Sequence, residues 1–199
     1  MTSGLGWAEN HLGAAVLLEK TTAITGDRAE DCWVLDELAF GELRTAAEQR
    51  HVMLRAEFDH VLADSRVIKY VAVDEAAGGR CCVLATATTD LEAMPLISPE
   101  YFAHRWPTLY ADRHIWYVGF VAVGPDQQRG PLFGRIVGDV ARSAAAVGGI
   151  AAMDVSRYVS EQRRLPQALT RYFTRLAPGT RSVRLDEQSF WAYEFPAPG

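Results

Sequence analysis

Hydrophobic and polar positions alternate along this chain in a way that marks out short strands and amphipathic helices, most clearly from His114 to Val147. His114–Val123 (HIWYVGFVAV) is apolar at nearly every position, which predicts a strand buried on both faces. Pro125-Asp126 ends the run, so Gly124–Gly130 reads as a loop. Gly130 followed by Pro131 is a helix-start signal, because proline suits the first helical position. The helix predicted over Pro131–Val147 carries Phe133, Ile136, Val137, Val140, Ala141, Ala144 and Val147 on one stripe, and Gly148-Gly149 stops it. A glycine loop feeding a helix start behind a buried strand is a place to hold an anion, since unpaired N–H groups and the helix dipole converge there.

The rest of the chain follows the same logic. Ala29–Arg50 sets Trp33, Leu35, Leu38, Phe40 and Leu43 among acidic residues early and Arg44 and Arg50 late, a charge order that favours a helix. A second helix is predicted over Met53–Ala63. Val67–Asp74 and Arg80–Thr89 read as strands joined by a hairpin turn at Gly78-Gly79. Met94–Pro107 reads as a loop with a helical turn, Ser98 being the expected cap before Pro99. A strand over Ile150–Val155, a loop, a helix over Pro166–Leu176 and two strands, Arg181–Leu185 and Ser189–Phe195, complete the order. Residues 1–28 are expected to form an N-terminal arm whose apolar segment Leu12–Leu18 is open to strand or helix, and residues 29–199 a single domain. The expected fold is of the α/β (α+β) class: one mixed, mostly antiparallel sheet with helices on both faces.

Composition narrows the functional classes. With 199 residues, 49% of them hydrophobic and 23% charged, the chain can bury a sizeable core. A net charge of −5 argues against a nucleic-acid partner, and no stretch approaches the run of ~20 apolar residues that a membrane span needs. The short, non-basic Leu12–Leu18 run does not resemble a signal peptide, so a cytoplasmic location is expected. Cys32 and the adjacent pair Cys81-Cys82, which points to opposite faces of a strand, read as reduced, packed thiols. The histidines have no metal-ligand spacing, and there is no G-x-G-x-x-G pattern for a nucleotide.

The element order and the loop Gln127-Gln128-Arg129-Gly130-Pro131-Leu132 resemble the GNAT superfamily of acyl-CoA-dependent N-acyltransferases. That family carries Q/R-x-x-G-x-G/A between its fourth strand and third helix. Here the first and fourth positions match, Pro131 lacks an N–H at the fifth, and Leu132 adds bulk at the sixth. In the following helix Ala168 and Tyr172 are similar in spacing to the family's alanine and its tyrosine that protonates the departing thiolate; a packing role for Tyr172 is the alternative. The first half, with Arg55-Ala56-Glu57-Phe58 and Tyr101-Phe102, is more distantly similar to acyl-homoserine-lactone and N-acyl amino acid synthases.

The resemblance implies an N-acyltransferase that moves an acyl group from acetyl-CoA or a longer acyl-CoA to a small amine or amino acid. The alternative is a non-catalytic acyl-CoA-binding or regulatory module. It implies that backbone groups of Phe120, Val121, Ala122 and Val123 hold the pantetheine arm where the central strand splays from its neighbour. Gln127, Gln128, Arg129, Gly130, Leu132 and Phe133 would hold the diphosphate, with Arg129, Arg135 and Arg142 as phosphate ligands or solvated helix-face residues. Gly119 fits a bulge that opens the splay, or a tight packing contact. The residues expected near the splay, His114 and Asp154 with Glu194 further on, are the candidate bases; surface or turn-capping roles are their alternatives. Tyr101, Phe102, Trp106 and Tyr110 either cover one end of the sheet or line an acceptor pocket, and Phe190, Trp191, Tyr193 and Phe195 either close a core or form the seam of a homodimer.

Overall fold

The computed structural model describes residues 16–41, 53–128, 130–162, 164–187 and 192. In chain order the elements are β1 (Leu17–Thr21), α1 (Asp27–Phe40), α2 (Arg55–Ala63), β2 (Ile68–Asp74), β3 (Arg80–Thr88), α3 (Pro99–Arg105), α4 (Pro107–Ala111), β4 (Ile115–Val123), α5 (Leu132–Ala146), β5 (Ile150–Met153), α6 (Arg157–Gln162) and α7 (Leu165–Leu176). The strands lie side by side in sequence order; every pair is antiparallel except β4–β5. That last pair is parallel because α5 carries the chain back along one face before β5 begins, the crossover that parallel strands need.

Two layers cover the sheet. On one face α1 and α2 pack Cys32, Leu35, Phe58, Val61 and Leu62 against Val71, Leu84, Tyr117 and Ala122. On the other, Leu132, Ile136 and Val140 of α5 meet Tyr70, Ala72, Val83, Ala85 and Val118. The expected mixed sheet with helices on both faces is therefore the architecture found. Gly78 and Gly79 both adopt φ near +77°, the left-handed backbone the β2–β3 turn requires.

Polar ties fix the layers. Lys69 is fully buried, and its ammonium donates to the carbonyls of Thr22 (2.9 Å), Asp64 (2.6 Å) and Val67 (2.9 Å), joining the segment after β1 to the end of α2. Burial pushes its pKa down to about 8. On the α5 face the buried Tyr70 hydroxyl donates to Asp139 Oδ2 at 2.7 Å, and Lys20 Nζ donates to the same oxygen at 2.9 Å. Cys32 and Cys81 are free, buried thiols with sulfurs 3.5 Å apart, while Cys82 is half-buried against the opposite layer.

Several expectations need correction. Of the conformations left open for the N-terminal segment, Leu17–Thr21 takes that of a strand: it is the edge strand β1, paired with β2 from Leu17↔Val73 to Thr21↔Lys69. The first helix begins at Asp27, and the part of its predicted span beyond residue 41 lies outside the described residues. The segment after Met94 folds into two helices rather than one turn, because Pro99 and Pro107 each start one. Ser98 does not cap the first with its hydroxyl, which donates to Glu100 Oε2 at 2.9 Å instead. Arg181–Leu185 is not a strand; residues 181–184 are exposed, and the segment pairs with no strand among the described residues, so its β-prone sequence is not enough by itself. The predicted strand Ser189–Phe195, its aromatic group and Glu194 lie outside the described residues. On α5 the inward residue of the first turn is Leu132, not Phe133, and Val147 is 43% exposed.

Candidate functional site

The site is organised by one irregularity in β4. Pairing with β3 runs Ala87↔Val118 and then Thr86↔Phe120, so Gly119 is an extra residue. The side chains record the slip: Ile115 and Tyr117 face the α1–α2 layer, and after the glycine Phe120 and Ala122 face it too, although strict alternation would have sent them to the other side. A Cβ on Gly119 would meet Thr86 Oγ1 at 2.7 Å and Met94 Sδ at 2.8 Å, so the bulge and the tight contact are both real and only glycine satisfies both. Phe120 N donates to the Thr86 hydroxyl (3.3 Å), which takes up an amide displaced by the bulge.

The slip coincides with the end of β5. β4 pairs with β5 only from Ile115↔Ile150 to Val118↔Met153. Beyond Gly119, β4 keeps β3 on one side: Gly124 N donates to Cys82 O at 2.8 Å, and by the two-residue alternation Ala122 and Phe120 face β3 as well. The backbone groups of Val121 and Val123 therefore point toward the side β5 has left. β4 is flanked by both β3 and β5 at Tyr117 and Val118, and beyond Gly119 it opens a fork.

This open half leads directly into the Gly124–Gly130 loop. A 3-10 turn over Pro125–Gln127 follows the strand, Gly130 N donates to Gln127 O (2.9 Å), and Arg135 N makes a helical bond to Pro131 O (3.0 Å). Gly130's own amide is thus spent inside the loop; the amides at the head of α5 belong to Leu132, Phe133 and Gly134. Pro131 is the residue just before the helix, at φ −78° and ψ −8°. Leu132 is 3% exposed and buried against the sheet, so its bulk lies in the core and not in the mouth of the loop. Gln127 and Phe133 are half-buried, Gln128 and Arg135 are exposed, and Arg129 lies outside the described residues.

The candidate catalytic residues fall in three different places. Asp154 follows β5 directly and would stand opposite Gly119 if the register continued, which sets it at the crotch of the fork. It is exposed, and its Oδ1 accepts the Tyr117 hydroxyl at 2.9 Å. Tyr117 is 5% exposed, held edge-on by Phe102 with centroids 6.1 Å apart. Burial, and then the negative charge of Asp154, hold its phenol well above the usual range, so it stays a donor. Tyr172, half-buried on α7, donates to Gly134 O (3.0 Å) in the first turn of α5, and a Cβ on Gly138 would come within 2.5 Å of its hydroxyl. His114, expected near the splay, lies instead just before the far end of β4, where the strand pairs with β5. It is five residues from Gly119, about 16 Å at strand rise. There its carbonyl accepts Ile150 N and its N–H reaches Leu109 O, a junction of backbone segments.

Tyr117 and Thr86 are the residues that sequence reasoning passed over. The available signal was a hydroxyl within an otherwise apolar strand, lying one parallel strand away from an aspartate that ends the next. The aromatic segment is a packing group at this end of the sheet: Phe102 is buried against Tyr117, Trp106 tilts against Phe102 at 6.1 Å, and the hydroxyls of Tyr101 and Tyr110 go to Leu185 O and Glu92 Oε1.

No family model matches the sequence, and a search of curated proteins finds no similar one. Solved structures do resemble it. A GCN5-related N-acetyltransferase from Ralstonia eutropha JMP134 aligns over 88% of this chain and 99% of its own at 12% identity, with a TM-score of 0.50. The aminoglycoside N-acetyltransferase AAC(6')-Iy in complex with CoA covers 88% of this chain and 96% of its own at 13% identity, with a TM-score of 0.49. The aminoglycoside acetyltransferase meta-AAC0020 from an uncultured soil metagenomic sample covers 89% and 97% at 8% identity, with a TM-score of 0.47. The likeness is one of fold: this chain has the fold of the GNAT superfamily. No helix among the described residues is long and apolar enough to cross a membrane.

Proposed function

We propose that this protein is an N-acyltransferase that moves an acyl group from acyl-CoA to a small amine. The observation that carries the reading is the one-sided second half of β4 running into the loop before α5. Val121 and Val123 offer backbone donors and acceptors spaced to pair with the amides of an extended pantetheine arm, as an added strand would. At the end of that edge the leading amides of α5 suit a diphosphate, with Gln127 and Gln128 in the loop that leads to them. Sharing its fold with a GCN5-related N-acetyltransferase supports the same reading.

The chain's own residues then have simple tasks. The thioester is already activated, so the site must orient it at the fork, exclude water and move protons. Asp154 at the crotch is the group that takes a proton from the attacking nitrogen. Tyr172 is the group that gives one to the departing sulfur, once its hydroxyl leaves Gly134 O. His114 is left out of the chemistry by its distance from the fork.

Isothermal titration of the full chain with acetyl-CoA and with a longer acyl-CoA, followed by thiol release on adding amines, tests this. Binding with release supports the enzyme. Binding without release favours a sensing module, for which the missing N–H of Pro131 would be the motivating feature. Binding of neither thioester overturns both.

A further inference from the structure

Three cysteines occur in the chain, and the sheet separates them. Cys32, in the second turn of α1, and Cys81, at the start of β3, meet in the layer between helix and sheet with their sulfurs 3.5 Å apart. Cys82 follows Cys81 directly but lies on the other face, its sulfur 3.4 Å from Ala72 O. A disulfide needs its sulfurs about 2.05 Å apart, so closing this contact takes a shift of about 1.5 Å, shared between two side chains and the helix that carries one of them. From this geometry we propose that Cys32 and Cys81 form a redox site: hydrogen peroxide joins them in a reversible disulfide that staples α1 to β3, while Cys82 stays a thiol. The proposal stands apart from the acyl-transfer reading.

The surroundings set the order of events. Cys32 is fully buried, and Cys81, 9% exposed, is the side from which a molecule as small as peroxide reaches the pair. Between the two thiols the Cys32 S–H donates to the Cys81 sulfur, and the Cys81 S–H donates to Val83 O at 3.5 Å. When Cys32 loses its proton, the Cys81 S–H turns to it. That bond, and then the charge of Arg28 in the first turn of α1, hold the Cys32 thiol below its ordinary value against the opposing effect of burial. The Cys32 thiolate is therefore the nucleophile. Its sulfur takes one oxygen of the peroxide as the O–O bond breaks, which leaves a sulfenic acid and a hydroxide that takes up the proton Cys32 gave. The Cys81 sulfur then attacks the sulfenic sulfur. The S–S bond forms, the S–O bond breaks, and the departing hydroxide takes the Cys81 proton as a second water. Two thiols lose two electrons in all, and one peroxide gains them. The link joins residues 49 positions apart. It lies beside the place where Gly124 N donates to Cys82 O, at the end of the open half of β4.

The full chain, reduced and then treated with hydrogen peroxide, reads this directly through free thiols counted after denaturation, intact mass and peptide mapping. The wild type is expected to fall from three thiols to one, to lose two hydrogens in mass, and to give one cross-linked peptide pair joining Cys32 to Cys81. Dithiothreitol should restore all three thiols. Oxidation should raise Tm by about 5–10 °C, because the link restrains the unfolded chain. Cys82→Ser should keep both the link and the rise in Tm. Cys81→Ser should lose both and leave a sulfenic acid on Cys32 that dimedone traps. The wild-type map depends on no variant, so a serine variant that fails to fold leaves the test intact. Three thiols that survive peroxide, a link through Cys82 or between two chains, or a sulfinic acid on Cys32 without a link each overturns the proposal. A Cys32–Cys81 link that leaves Tm unchanged overturns the staple.

Discussion

The two tyrosine–aspartate pairs make an instructive contrast. Tyr70–Asp139 and Tyr117–Asp154 have nearly the same bond length, 2.7 and 2.9 Å, and both phenols are buried on a central strand. Their surroundings differ. Asp139 sits on a helix that packs along the whole sheet, and β1 delivers Lys20 to it. Asp154 sits where β5 stops and β4 has just slipped by one residue, and no strand among the described residues supplies it a cation. The same side-chain chemistry holds layers together in one place and faces an open edge in the other. Backbone topology decides which.

The largest expected effect comes from removing the slip that separates the two environments. Gly119→Val should cost about 2–3 kcal/mol of stability, because the new side chain drives into Thr86 and Met94. It should also abolish thiol release in the fraction that stays folded. Urea denaturation and single-turnover assays read the two losses separately, and an active valine variant would break the link between bulge and fork. Next, Tyr70→Phe should cost about 1.5 kcal/mol, since it strips Asp139 of a buried donor, and turnover should stay as it was. Tyr117→Phe should cost less in the same urea experiment, because the exposed Asp154 regains water; equal costs would erase the distinction between the pairs.

Smaller still, Lys20→Met should lower stability by about 0.5 kcal/mol, less at high salt, as suits a half-exposed ion pair. The smallest effect lies in acid. Burial tends to raise the Asp139 pKa, but the bonds from Tyr70 and Lys20 outweigh it and hold the carboxyl below its ordinary value. A depressed folded-state pKa contributes stability above the ordinary carboxylate range, and that contribution is lost as pH falls through the folded value. Denaturation midpoints measured from pH 5 downward should therefore fall more steeply in the wild type than in Asp139→Asn.

Much of the fold was readable in advance because burial follows periodicity. The apolar run of β4, the Gly78-Gly79 turn and the stripe Ile136, Val137, Val140 and Ala144 each report a local constraint that every residue in the element obeys. The errors came where a neighbour, rather than the segment, decides the outcome. Arg181–Leu185 has strand-forming residues but joins no strand among the described residues, and Leu17–Thr21, left open by its sequence, becomes a strand by pairing with β2.

The candidate site divides along the same line. Residue order by itself determined the β4–loop–α5 unit, the glycine within β4 and an aspartate at the end of β5, because chain connectivity and helix or strand period are local properties. Three-dimensional packing alone decided that Gly119 shifts the register, that β5 stops opposite it, that Leu132 turns inward and that His114 stands about 16 Å from the fork. It also brought Tyr117 to Asp154 across 37 positions of chain, a contact with no local cause. Contacts of that kind depend on which strands are neighbours and where each one ends, and those are set by the energy of the whole sheet.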